Sequence, residues 1–227
     1  MKTLILGNGE VGMALTTVLS EFYEVLTIDK NESTSQKFDI IHICFPFFKG
    51  FVKEVKKYQK KYLLKRGYTV IHSTVPVGTS RKCDAVHSPT VGIHPHLEDS
   101  IKTFVKFLGG EKASEVADYF RKAGIKVYLT DKSETTEYLK LRSTEFYALL
   151  NKYNNDIKKG CDKLDIPFEM WTIWTEKYNE GYQKLGFPEY TRPILTPIMK
   201  KLGGHCLSLN LELLETTFSK FIKKLNK

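Results

Sequence analysis

The chain opens on Thr3-Leu4-Ile5-Leu6-Gly7-Asn8-Gly9-Glu10-Val11-Gly12, an apolar run that ends in G-x-G-x-x-G. A helical pattern follows over 11–21, and a second apolar run closes on Asp29. Few folds accommodate that order. A buried strand, a glycine turn, a helix and a second strand ending in an acid make the βαβ unit that grips a dinucleotide. Gly7 permits the tight turn, Gly9 lets the backbone approach a pyrophosphate, and Gly12 lets helix pack on strand. The helix N-terminus turns unpaired N–H groups and the positive end of its dipole toward the phosphates. Asp29 lies 22 residues after Gly7, where a carboxylate accepts hydrogen bonds from a ribose. It would repel a 2′-phosphate, so the pattern favours NAD over NADP, and the adjacent Lys30 softens that preference. The expected cofactor contacts here are Gly7, Asn8, Gly9, Glu10, Val11, Gly12, Asp29 and Lys30. The competing reading is a domain of this shape that holds no ligand.

Strand and helix signals alternate through the first half. Strands are expected at 2–6, 24–28, 39–44, 68–72, 83–87, 103–108 and 126–129, with helices at 11–21, 49–63 and 112–123. Such alternation implies an α/β fold, a Rossmann-type doubly wound parallel sheet. From Ser133 to Leu164 the pattern changes to one long helix, with further helices expected over 167–180 and 207–224. The expected division is therefore an NAD-binding domain at 1–131 and a helical domain at 132–227.

Hydrophobic residues make up 41% of the chain and charged residues 27%, enough to build a core. No apolar run reaches the ~18–20 residues that span a bilayer. The cysteines at 44, 83, 161 and 206 form no C-x-x-C pair, the usage of a reducing cytoplasm. The net charge is +9, with lysines clustered at Lys53–Lys65 and Lys220–Lys227. No nucleic-acid-binding motif accompanies them, so the charge reads as a solvated surface with a bias toward anionic small molecules.

Four downstream segments belong together: Ile43-Cys44-Phe45-Pro46, His72-Ser73-Thr74-Val75-Pro76-Val77-Gly78-Thr79, Thr136-Glu137-Tyr138-Leu139-Lys140, and Gly203-Gly204-His205-Cys206. Asn155 lies fifteen residues beyond Lys140. In this order the segments resemble the UDP-glucose/GDP-mannose dehydrogenase family, over nearly all of the chain to about residue 210. The resemblance implies a cysteine nucleophile at Cys206, oxyanion stabilisation by Lys140, and Thr74 near the nicotinamide. It also implies an active-site role for Asn155 and adds Pro46 and Ser73 to the cofactor contacts. It further implies a homodimer built on the helix 133–164.

The departures are as informative. Thr90 stands where that family carries its water-activating glutamate, Thr144 where it carries an asparagine, and Leu209-Asn210 where it carries Lys-Asp. The family's C-terminal nucleotide-sugar domain has no counterpart in these 227 residues. The expected activity is NAD-dependent oxidation of an alcohol on a small anionic or sugar-like substrate. The alternative is a non-catalytic NAD-binding or assembly module. Each residue also has a plainer reading: Lys140 as an ion-pair partner of Glu137 at i−3, Asn155 as a helix-pairing amide, Cys206 as a small turn filler. His87, His94 and His96 fit acid/base chemistry better than metal ligation, since no second cluster completes a metal site.

Overall fold

The computed structural model describes residues 1–199 and 210–225. Two compact units result, Met1–Arg142 and Ser143–Lys227.

The first unit holds a seven-stranded sheet in the order β2-β1-β3-β4-β5-β6-β7. The strands are β1 (Lys2–Leu6), β2 (Glu24–Ile28), β3 (Phe38–Ile43), β4 (Leu63–Ile71), β5 (Val86–His87), β6 (Lys106–Gly109) and β7 (Val127–Thr130). Between them lie α1 (Glu10–Ser20), α2 (Phe51–Tyr62), α3 (Thr79–Lys82), α4 (Leu97–Thr103) and α5 (Ala113–Lys122). Period-two alternation sorts the strand residues onto two cores. Ile5, Ile40 and Val70 face α1, α4 and α5, while Leu4, Leu6, Ile41, Ile43 and Ile71 face Phe51 and Val55 of α2.

The sheet is parallel from β2 through β5. The expected doubly wound parallel sheet is present, with one antiparallel pair at β6, which joins β5 through His87 and Gly109. Residues 88–105, which include the seven-residue α4, connect the two strands. The expected strand at 83–87 shrinks to two residues, because α3 and the left-handed Asp84 (φ 51°) take up the approach.

Helix α6 (Ser133–Lys163) carries the chain through the boundary into the second unit, followed by α7 (Glu169–Lys184), a 3-10 turn at Pro188–Tyr190 and α8 (Thr217–Leu225). The expected single helix over 207–224 is also corrected: residues 214–216 interrupt it. Thr216 starts α8 afresh. Its Oγ1 accepts the Ser219 N–H at 2.9 Å and its own N–H donates to Ser219 Oγ at 2.9 Å, a reciprocal cap that satisfies two otherwise orphaned donors. Among the described residues no helix is long and apolar enough to cross a membrane.

Candidate cofactor and active site

The strand order reverses direction between β1 and β3, and in open α/β sheets ligands settle at that crevice, beyond the strands' carboxyl ends. Gly7 follows β1 there with φ +107°; a Cβ on it would press within 3.0 Å of the Phe45 backbone nitrogen. At Gly12 a Cβ would stand 1.9 Å from the Gly7 carbonyl oxygen, so only glycine lets α1 pack on this turn. Gly9 caps α1 without a side chain, and a Cβ there would meet nothing within 4 Å. The glycine loop thus encloses open space in front of the free N–H groups of the helix. Asn8, Gly9 and Glu10 are exposed and Val11 half-buried.

Asp29 follows β2 at the same end of the sheet, exposed beside Lys30. Its Oδ1 accepts the Lys30 N–H at 2.7 Å, which fixes the carboxylate. Phe45 and Pro46 follow β3, and Ser73 and Thr74 follow β4. Ser73 Oγ donates to the Phe45 carbonyl at 2.5 Å, tying these two strand ends together. Thr74 is half-buried and Pro46 exposed.

Lys140 and Glu137 do not pair as their spacing suggested. The buried Glu137 carboxylate reaches across to the β4–β5 connection, where it accepts N–H groups from Gly78 at 2.5 Å and Ser80 at 2.7 Å. Burial pushes its carboxyl above the usual range against the pull of those donors. Lys140 Nζ instead donates to the Thr90 carbonyl at 2.8 Å. The lysine therefore sits on the segment in which the resemblance placed a glutamate.

In the second unit Asn155 is buried and spends both ends of its amide on one residue. Nδ2 donates to the Ile198 carbonyl at 2.5 Å and Oδ1 accepts the Ile198 N–H at 2.8 Å. Asn154 Nδ2 donates to the Leu195 carbonyl at 2.8 Å, so neighbouring amides strap the proline-containing segment to α6. Two departures from the family pattern meet each other: Asn210 Nδ2 lies 3.3 Å from Thr144 Oγ1. Cys206, with Gly203, Gly204 and His205, lies outside the described residues.

Sequence reasoning missed a buried polar relay under the sheet. Thr3, His42 and His72 lie on the face that carries α5. Tyr119 of α5 joins them: Thr3 Oγ1 to Tyr119 Oη is 3.0 Å, Tyr119 Oη to His42 Nε2 is 3.2 Å, and His42 Nδ1 to His72 Nε2 is 2.8 Å. The last member, His72 Nδ1, is 2.9 Å from the Ser88 carbonyl. A carbonyl only accepts, so His72 carries its proton on Nδ1 and accepts at Nε2. His42 must then donate from Nδ1 and accept from the Tyr119 hydroxyl, which accepts from Thr3. Every direction follows from one terminus, provided both rings are neutral. Burial secures this, pushing His42 down to about 3 and His72 well below its ordinary value. His87 is likewise buried, pushed down to about 3, with Nδ1 2.8 Å from Thr136 Oγ1 and Nε2 3.3 Å from the Ser73 carbonyl. It braces the strand end before Thr74 against α6, one turn before Lys140. Lys106 is buried beneath Phe120, 5.4 Å from the ring centroid, and burial lowers it to about 8. Among the described residues no group of His, Cys, Asp and Glu could hold a metal ion.

No family profile matches the sequence, and no characterised protein matches it on sequence alone. Solved structures do match. UDP-D-ManNAc dehydrogenase from Pyrococcus horikoshii superposes with TM-score 0.80 at 14% identity, over 100% of this chain and 68% of that one. The chain shares the fold of that enzyme. The 3-hydroxyisobutyrate dehydrogenase of Mycobacterium tuberculosis gives TM-score 0.73 at 12% identity, over 98% of this chain and 91% of that one. An NDP-N-acetyl-D-galactosaminuronic acid dehydrogenase from Methanosarcina mazei Go1 gives 0.67 at 17%, over 99% of this chain and 65% of that one. The same fold is thus common to enzymes named for nucleotide sugars and for a small hydroxyacid.

Proposed function

We propose that the protein is an NAD-dependent oxidoreductase acting on an alcohol of a small, hydroxylated, anionic substrate. The observation that carries this reading is the glycine loop: open space at Gly9, the helix N-terminus behind it, and Asp29 at the neighbouring strand end. Asp29 would receive the adenosine ribose, and the backbone of Gly9, Glu10 and Val11 the diphosphate. NAD, when bound, supplies the hydride acceptor. Thr74 would stand beside the nicotinamide. Lys140, held on the Thr90 carbonyl, would polarise the substrate hydroxyl or stabilise the charge that develops on its oxygen. With threonine at 90, the chain offers no carboxylate there to activate water. A single two-electron alcohol–carbonyl exchange therefore suits these residues better than oxidation to an acid, and Cys206 would trap an aldehyde only in the four-electron case. Tyr138, Leu139, Phe146, Tyr147 and Tyr153 are exposed on α6, which supports assembly as a homodimer.

Calorimetric titration with NAD, followed by a screen of hydroxyacids and nucleotide sugars for absorbance of the reduced cofactor, tests the reading. Binding with turnover supports it; no NAD binding at millimolar concentration refutes it. The second reading, an NAD-binding module without catalysis, is favoured by the engagement of Asn155 with Ile198. NAD binding with no turnover of any class would select it.

A further inference from the structure

The segment between β5 and α4 holds a histidine that the reading above leaves unused. His94 Nδ1 contacts Glu10 Oε2, joining this segment to the first turn of α1. The segment around His94 is built. Ser100, buried on α4, donates Oγ to the His96 carbonyl at 2.6 Å, and the Ile93 N–H lies 3.3 Å from the same Oγ. One hydroxyl therefore holds the backbone on both sides of His94. Gly92 (φ +153°) closes over it, since a Cβ there would come within 2.3 Å of Ser100 Cβ.

Glu10 is the first residue of α1, directly after the bare Gly9 cap. A carboxylate at that place suits the helix dipole while the site is empty of anions. A dinucleotide changes the balance, because its diphosphate brings two negative charges to the same helix end and Glu10 opposes them. A histidine N–H donor within reach of the same helix end offsets that opposition. The His94 and Glu10 side chains are 46% and 68% exposed, and a pair so open to water holds its partners weakly. Exchanging it for a diphosphate, backed by the helix N-terminus, costs little.

We propose that His94 is a phosphate-contact residue of the dinucleotide site, held on Glu10 in the free chain and transferred to the diphosphate when the dinucleotide binds. This rests on the NAD reading above and adds a contact that the glycine motif does not contain.

The test titrates NAD and ADP-ribose by calorimetry, and adenosine by ligand-observed NMR, at pH 6 and low salt. The proteins are the wild-type chain, His94→Ala, Glu10→Gln and the double variant. His94→Ala is expected to weaken NAD and ADP-ribose about tenfold, the order expected for one charge-assisted hydrogen bond, and to leave adenosine unchanged. Glu10→Gln is expected to tighten both diphosphate ligands several-fold, and the His94→Ala loss should persist in its background. Unchanged NAD affinity in His94→Ala overturns the proposal. So does an equal loss for adenosine, or a loss that vanishes once Glu10 is neutral. A wild-type chain that binds no NAD overturns the cofactor reading itself, a result distinct from all three.

Discussion

Mild acid should loosen the sheet unit well before its carboxylates titrate. His42 and His87 are held neutral with folded values of about 3, against about 6.5 in an unfolded chain. A lowered folded value means that the unfolded chain binds the proton first. The stability these groups confer is complete above about pH 6.5 and is lost as pH falls toward 3. Between pH 7.5 and 5.5 each would give up about 1.4 kcal/mol, about 3 kcal/mol for the two. His72, shifted in the same direction, adds to that loss. A total stability of about 5–15 kcal/mol makes this a large fraction. Both tryptophans, Trp171 and Trp174, lie on α7 in the other unit, so indole fluorescence would miss the effect. Hydrogen exchange of β3 and β4 amides across this pH range reads it directly. Equal opening free energies at pH 7.5 and 5.5 would refute the neutral relay. His87→Gln, which cannot titrate, should shallow the dependence by one proton.

Gly9→Val should leave thermal stability unchanged, since its side chain enters open space, yet abolish NAD binding in calorimetry. Gly12→Ala should destabilise by about 1–3 kcal/mol in urea unfolding, because its Cβ meets the Gly7 carbonyl. Glu137→Ala should cost about 3 kcal/mol by stranding the Gly78 and Ser80 N–H groups, with Glu137→Gln milder; equal melting curves would count against that role. Asn155→Ala should speed proteolysis within 191–199, and Asn155→Asp more so, because a second acceptor would then face the Ile198 carbonyl.

Local patterns made the first strands and the glycine loop legible. Alternation and glycine spacing act within a few residues, and the cradle at Gly7, Gly9 and Gly12 needs little else. The reversal of β6 rests on the pairing of His87 with Gly109, a long-range contact that no local pattern announces. Helical spacing suggested a Glu137–Lys140 pair, but two backbone donors more than fifty residues away compete better for the carboxylate. The break before α8 was readable after all, since Thr216-Thr217-Phe218-Ser219 is a capping signature overlooked within an amphipathic run. The relay left a fainter trace: a histidine at the same phase of two adjacent apolar strands, which period-two reasoning places on one face.

That relay has a bearing on descent. Each of its hydrogen bonds has one permitted direction, so replacing either histidine or Tyr119 alone by an apolar residue strands a buried polar atom. Phenylalanine at 119 would orphan His42 Nε2 and the Thr3 hydroxyl together. In related chains, Thr3, His42, His72 and Tyr119 should therefore be inherited or replaced as a set, with apolar residues arriving at all four positions in lineages that abandon it.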